Sequence, residues 1–75
     1  MNDELKQKQF KIHFAETLKS ARKAAGVTQE QLAAELDVDR SLIAKYESAA
    51  AMPNAANIPK ICRLLNLTAE ELFEM

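Results

Sequence analysis

Residues Thr28 to Ser48, TQEQLAAELDVDRSLIAKYES, decide the reading of this chain. They hold two short helical patterns joined by a tight turn. The Thr28 hydroxyl is suited to accept a backbone N–H at the start of the first, and Gln31, three residues on, completes a capping box. Leu32, Ala33 and Leu36 then form one apolar face at helical spacing. The pattern breaks at Asp37-Val38. Asp39 offers a second cap, and Leu42, Ile43 and Tyr46 restart the apolar face. A helix of about eight residues does not hold itself together in water, so the pair packs on itself and on other elements. Ala33, being small, allows a close crossing, and Val38 plugs the turn. Arg40, Ser41, Ala44 and Lys45 are left on the outer face of the second helix. A sharply crossed pair presenting a short polar helix is the arrangement that reads the DNA major groove.

The flanking sequence supplies the rest of a small helical core. Phe10, Phe14, Leu18, Ala21 and Ala25 recur at three- and four-residue steps, which predicts a helix over 10–25 ended by Gly26. Residues 1–9, MNDELKQKQ, are polar apart from Met1 and Leu5 and read as a frayed N-terminal arm or as the first turns of that helix; we set them apart as an arm, with the domain at 10–75. Met52-Pro53-Asn54 is a loop. Asn57 is the expected cap of a fourth helix, with Pro59 in its first turn, Ile58, Ile61, Cys62 and Leu65 as its buried stripe, and an end near Asn66. Thr68 and Glu71 form a second capping box for a last short helix. Its Leu72 and Phe73 either cover the core or meet a second subunit.

Composition agrees with one all-α domain. The chain has 75 residues, 48% of them hydrophobic, with one Gly and two Pro. No stretch alternates apolar and polar residues over strand length. Cys62 is the single cysteine, so neither a disulfide nor a cysteine-built zinc site can form within one chain, which fits a reducing, cytoplasmic setting. No apolar run is long enough for a signal peptide or a membrane span. His13 lies beside the apolar face of its helix with no second histidine to share a metal. One His, one Cys and no glycine-rich phosphate loop leave no nucleophile, metal or cofactor constellation, so no enzyme, cofactor, metal or small-molecule ligand is expected.

Net charge is −1, against the basic excess usual where phosphate neutralisation drives binding. The distribution is uneven: residues 1–25 carry six basic against three acidic residues, and 26–48 carry Arg40 and Lys45 against five acidic ones. Glu30 and Glu35 are expected to point away from any DNA.

The stretch resembles the Cro and phage-repressor family of helix-turn-helix domains (XRE-type) at Thr28-Gln29, Leu32-Ala33, Leu36, Val38, Ile43 and Tyr46-Glu47. The resemblance extends over roughly residues 10–73 and implies a five-helix, lambda-repressor-like fold with the helix-turn-helix at helices two and three. It implies a sequence-specific regulator, repressor-like, that binds double-stranded DNA as a homodimer. Arg40, Ser41, Ala44 and Lys45 then correspond to the base-reading face, with Arg40 and Lys45 suited to guanine O6 and N7. Thr28, Gln29 and Ser48 correspond to phosphate contacts, Gln29 at the amide-rich start of its helix. Arg22 corresponds to the partner of Glu47 in an ion pair that locks the first helix to the reading helix.

The chain departs from that family at Asp37 and Ala49, where glycine is usual, and at Ala50 and Ala51, where one or two basic residues usually grip phosphate. Either the third helix runs on through these alanines or the loop lacks two phosphate contacts. These departures and the acidic balance motivate an alternative, a helix-turn-helix domain used to bind protein with weak or no DNA binding.

Overall fold

The computed structural model describes residues 2–74, and among them there are five helices and no strand: α1 Asn2–Ala24, α2 Gln29–Leu36, α3 Arg40–Glu47, α4 Asn57–Leu65 and α5 Ala69–Phe73. α2 and α3 cross closely, and α1 lies against both α3 and α5. The core is where their apolar faces meet. Phe14, Leu18, Leu32, Ile43, Ile61 and Leu72 are fully enclosed, with Ala33, Leu36, Tyr46 and Leu65 around them. Burying each such large side chain stabilises the fold by roughly 1.5–3 kcal/mol. The remaining stripe of α1 differs from the periodic reading at one end: Ala25 is exposed, while Ala15 is buried.

Residues 2–9 are not a separate arm. α1 begins at Asn2 and runs 23 residues without interruption. Nothing in this segment breaks a helix. Asp3 and Glu4 sit favourably at its positive end, and extending a helix already nucleated costs far less than starting one. Residues 3–9 are nonetheless exposed, so this part of α1 projects beyond the core.

The ends of the helices show which caps operate. Thr28 Oγ1 accepts from the Gln31 amide at 3.0 Å while Gln31 Oε1 accepts from the Thr28 amide at 2.8 Å, a complete capping box. Thr68 and Glu71 make the equivalent box at α5. Asp37 adopts the left-handed conformation, φ 57°, as the turn between α2 and α3 requires. Asp39 occupies the cap position of α3, but its side chain makes no capping hydrogen bond. At α4 the expected cap is displaced. Asn57 is the first helical residue, and it is Asn54 Oδ1 that accepts from the Asn57 amide at 3.2 Å. Three residues of turn chemistry at 54–56 precede the helix there, so the capping side chain comes from further upstream.

α3 does not run on through the alanines. It stops at Glu47, and Ala49 turns left-handed at φ 65°. The Ala50 amide then closes onto the Lys45 carbonyl at 2.9 Å. α5, only five residues long, is held by tertiary contact. Phe73 stacks on Phe10 at 5.4 Å and on Phe14 at 6.2 Å between ring centroids. His13 Nε2–H donates to the Glu71 carbonyl at 3.0 Å. The terminal Leu-Phe pair therefore covers the core of its own chain.

Candidate nucleic-acid interface

α3 divides cleanly by side. Ile43 and Tyr46 are buried against α1 and α2, whereas Arg40, Ser41, Ala44 and Lys45 are all exposed. The outer side of this short helix thus carries two long cationic side chains, a hydroxyl and a methyl, with no acidic residue in its first turn.

What fixes α3 in place is a buried polar cluster behind it. Arg22 Nε donates to Glu47 Oε2 at 2.5 Å and Arg22 Nη2 to Glu47 Oε1 at 3.0 Å, a two-pronged pair with side chains only 10% and 4% exposed. Arg22 Nη1 also donates to the Val27 carbonyl at 2.8 Å. The hydrogen bonds to Glu47 hold the guanidinium charged, against the opposing effect of burial. Gln29 Nε2 donates to the same Glu47 Oε1 at 3.1 Å. One carboxylate therefore gathers the end of α1, the start of α2 and the end of α3. Planar, two-pronged geometry is what makes arginine fit this position.

In front of the cluster lies an open cleft of about 630 Å³, lined by Arg22, Lys23, Gly26, Val27, Thr28, Gln29, Glu30 and Arg40. The first turn of α2 forms its floor. Of the amides left unpaired at a helix start, those of Thr28 and Gln31 are used by the capping box. Among the described residues the Gln29 and Glu30 amides have no acceptor outside α2, and they carry the positive end of the helix dipole. Lys23 and Arg40 flank them. An open, amide-lined recess with Lys23 and Arg40 beside it suits an oxygen anion such as a phosphate.

Three of these placements differ from the sequence reading. The Gln29 side chain is turned inward to Glu47, so only its amide faces the cleft. Thr28 spends its amide and a hydroxyl lone pair on the capping box, which leaves only the hydroxyl proton for another acceptor. Glu30, expected to point away from any DNA, is exposed and lines the cleft together with Arg40. Glu35 lies elsewhere, in a groove with Leu64. Lys23 also lines the cleft, a position that depends on how α1 ends against α2. Ser48 remains exposed, its hydroxyl donating to the Lys45 carbonyl at 3.2 Å. Cys62 is half-buried on α4, and burial, with Glu71 adding to it, pushes its thiol up from the ordinary value. No group of three metal-ligating side chains occurs among the described residues, and no helix there is long and apolar enough to cross a membrane.

These features define an all-helical domain built to present one short helix, the helix-turn-helix class. The chain belongs to the helix-turn-helix family of the XRE type, whose profile matches residues 18–72. It is 38% identical over 62 residues to the HTH-type transcriptional activator BcrR of Enterococcus faecalis, a match that covers 83% of this chain and 30% of BcrR. It is 36% identical over 65 residues to the control protein C.MunI of Mycoplasma sp, covering 85% of this chain and 88% of C.MunI. A third relative is the transcriptional repressor RstR of the cryptic phage CTXphi in Vibrio cholerae, 37% identical over 57 residues, 76% of this chain and 51% of RstR. The chain thus spans under a third of BcrR and about half of RstR. Among solved structures it superposes on the restriction-modification controller protein C.AhdI of Aeromonas hydrophila with a TM-score of 0.74 and 32% identity, over 84% of this chain and 96% of that one.

Proposed function

We propose that this chain is a sequence-specific, DNA-binding transcriptional regulator, repressor-like, that enters the major groove with α3 and binds its site as a homodimer. The observation that carries the proposal is the pairing of two features on one surface. Arg40, Ser41, Ala44 and Lys45 stand exposed along α3, and the amide-lined cleft with Lys23 opens beside them. The first set has the donors and the methyl needed to read base edges, and the second has what positions a phosphate. Relatives named as an activator, a repressor and a control protein support the same reading. Two copies related by a two-fold axis read half-sites about 34 Å apart.

Binding is expected to be modest. The loop after α3 is uncharged at Ala49, Ala50 and Ala51, and Glu30 places a carboxylate where phosphate would approach. The same two facts favour the second reading, a helix-turn-helix surface that binds protein. Selection of duplexes from a random DNA pool at low salt separates the two. Enrichment of a two-fold-symmetric site supports the regulator. Failure to enrich any sequence, together with no salt-dependent retention of duplex DNA, contradicts it and leaves the protein-binding alternative.

A further inference from the structure

We infer that one side of α1 is an edge that grips the DNA backbone flanking the site read by α3, with Lys23, Lys19 and Lys8 as its cations. This rests on the DNA-binding reading above and extends it to duplex that α3 does not reach. The geometry starts at the cleft, which Arg22 and Lys23 of α1 both line. Successive helical residues are turned by roughly 100°, so Lys19, one turn earlier, falls in direction between them, about 60° from Arg22 and 40° from Lys23. Lys19 is therefore on the cleft side of α1, just beyond the rim. Lys8, three turns further on, lies within about 20° of Lys19. The three lysines thus share an arc of about 60° along one uninterrupted helix, over ~22 Å at 1.5 Å per residue. All three are exposed, and none forms an ion pair among the described residues.

Charge and continuity select the partner. Glu16 borders the arc, about 60° round from Lys19, and no acidic residue lies within it. Leu5 and Ile12 share this side, 56% and 42% exposed, so the lysine stems can lie along apolar surface while their ammonium groups reach outward. A lysine ammonium is a point charge that holds a phosphate without reading a base. The row opens directly from the recess suited to a phosphate. Each DNA strand carries a phosphate every ~3.4 Å of axis, so ~22 Å of helix lies beside roughly six successive steps. The loop after α3 offers no cation at Ala49, Ala50 or Ala51, and α1 supplies the backbone charge missing there. An acidic protein segment is the poorer fit, because nothing ties such a partner to the cleft from which the row starts.

The test uses the full chain and its selected site in two duplexes, one trimmed to the bases the selection defines and one with about ten further base pairs on each side. Affinity is measured across salt concentration. The wild-type chain is expected to bind the extended duplex more tightly and with a steeper salt slope. Lys8→Gln and Lys19→Gln are each expected to lower that slope by about one and to weaken binding at least about threefold at low salt, with much less effect on the trimmed duplex. Lys6→Gln makes the same charge change about 140° round the helix from Lys19 and is expected to show no dependence on duplex length. Glutamine keeps a good helix former at these exposed positions, and circular dichroism checks that α1 remains intact. Equal wild-type slopes on the two duplexes overturn the proposal. So do losses in Lys8→Gln and Lys19→Gln that are the same on both duplexes or are matched by Lys6→Gln. Variants that bind the extended duplex like wild type overturn it too, and leave this side of α1 to an acidic protein partner. The two readings fail differently: a wild-type chain that retains no duplex at low salt defeats DNA binding itself, whereas one that binds the trimmed site and gains nothing from the flanks defeats the α1 edge alone.

Discussion

Ala49 is the residue at which this chain differs most from what its backbone asks for. Its φ of 65° lies in the left-handed region, where a Cβ costs roughly 1–2 kcal/mol. Ala49→Gly is expected to stabilise the domain by about 1 kcal/mol, read as a rise in the urea midpoint with an unchanged slope. The converse holds at Gly26, φ 72°. An added Cβ there meets no atom within 4 Å, so Gly26→Ala is expected to cost about 1 kcal/mol from backbone conformation alone. Glu47 is the most consequential polar residue. Removing it strands Arg22, 8% exposed, without its counter-charge, and Glu47→Ala is expected to destabilise by roughly 3–5 kcal/mol in thermal or urea unfolding. That is a large share of the total for a domain of this size. At this scale much was readable beforehand. The Thr28–Gln31 and Thr68–Glu71 boxes depend only on residues three apart, and Gly26 announces the end of α1 by its type. Asp39 and Asn57 show the boundary of such reasoning. Having a capping side chain at the right place does not decide whether it caps or whether Asn54, further upstream, serves instead.

Among the elements, α5 shows most plainly that packing rather than propensity makes a short helix. Five residues form it, and Leu72, the Phe73 ring and the His13 bond to Glu71 hold it to α1. Phe73→Ala is expected to cost roughly 1–3 kcal/mol, since the ring is only half-buried, and to speed amide exchange in α5 more than in α2 and α3. α1 shows the opposite case. Its helix continues past the core because nothing in residues 2–9 stops it, so periodicity located its buried face but not its length. The recess before α2 was not legible for a different reason. Lys23, Glu30 and Arg40 belong to three elements and meet only because the Arg22–Glu47–Gln29 cluster draws the ends of those elements together. No spacing within one helix reports that convergence.

For the whole molecule the proposal must account for how a chain of net charge −1 would hold a polyanion. The proposed surface would do so by local arrangement: Arg40 and Lys45 exposed on α3, Lys23 and two amides of α2 beside them, and Glu30 as the one acidic residue lining the cleft. Glu30→Lys is therefore expected to tighten DNA binding and to steepen its salt dependence by about one to two charges' worth of slope, measured by affinity titrations across salt concentration. The claim that α3 is the reading element is tested most directly by the affinity of Arg40→Ala and Lys45→Ala for the selected site and for unrelated duplex, at one fixed salt concentration. Each variant is predicted to lose ~1–3 kcal/mol on the selected site and much less on unrelated DNA, so that the ratio between them falls. Equal affinities for wild type and both variants on the selected site would contradict the account.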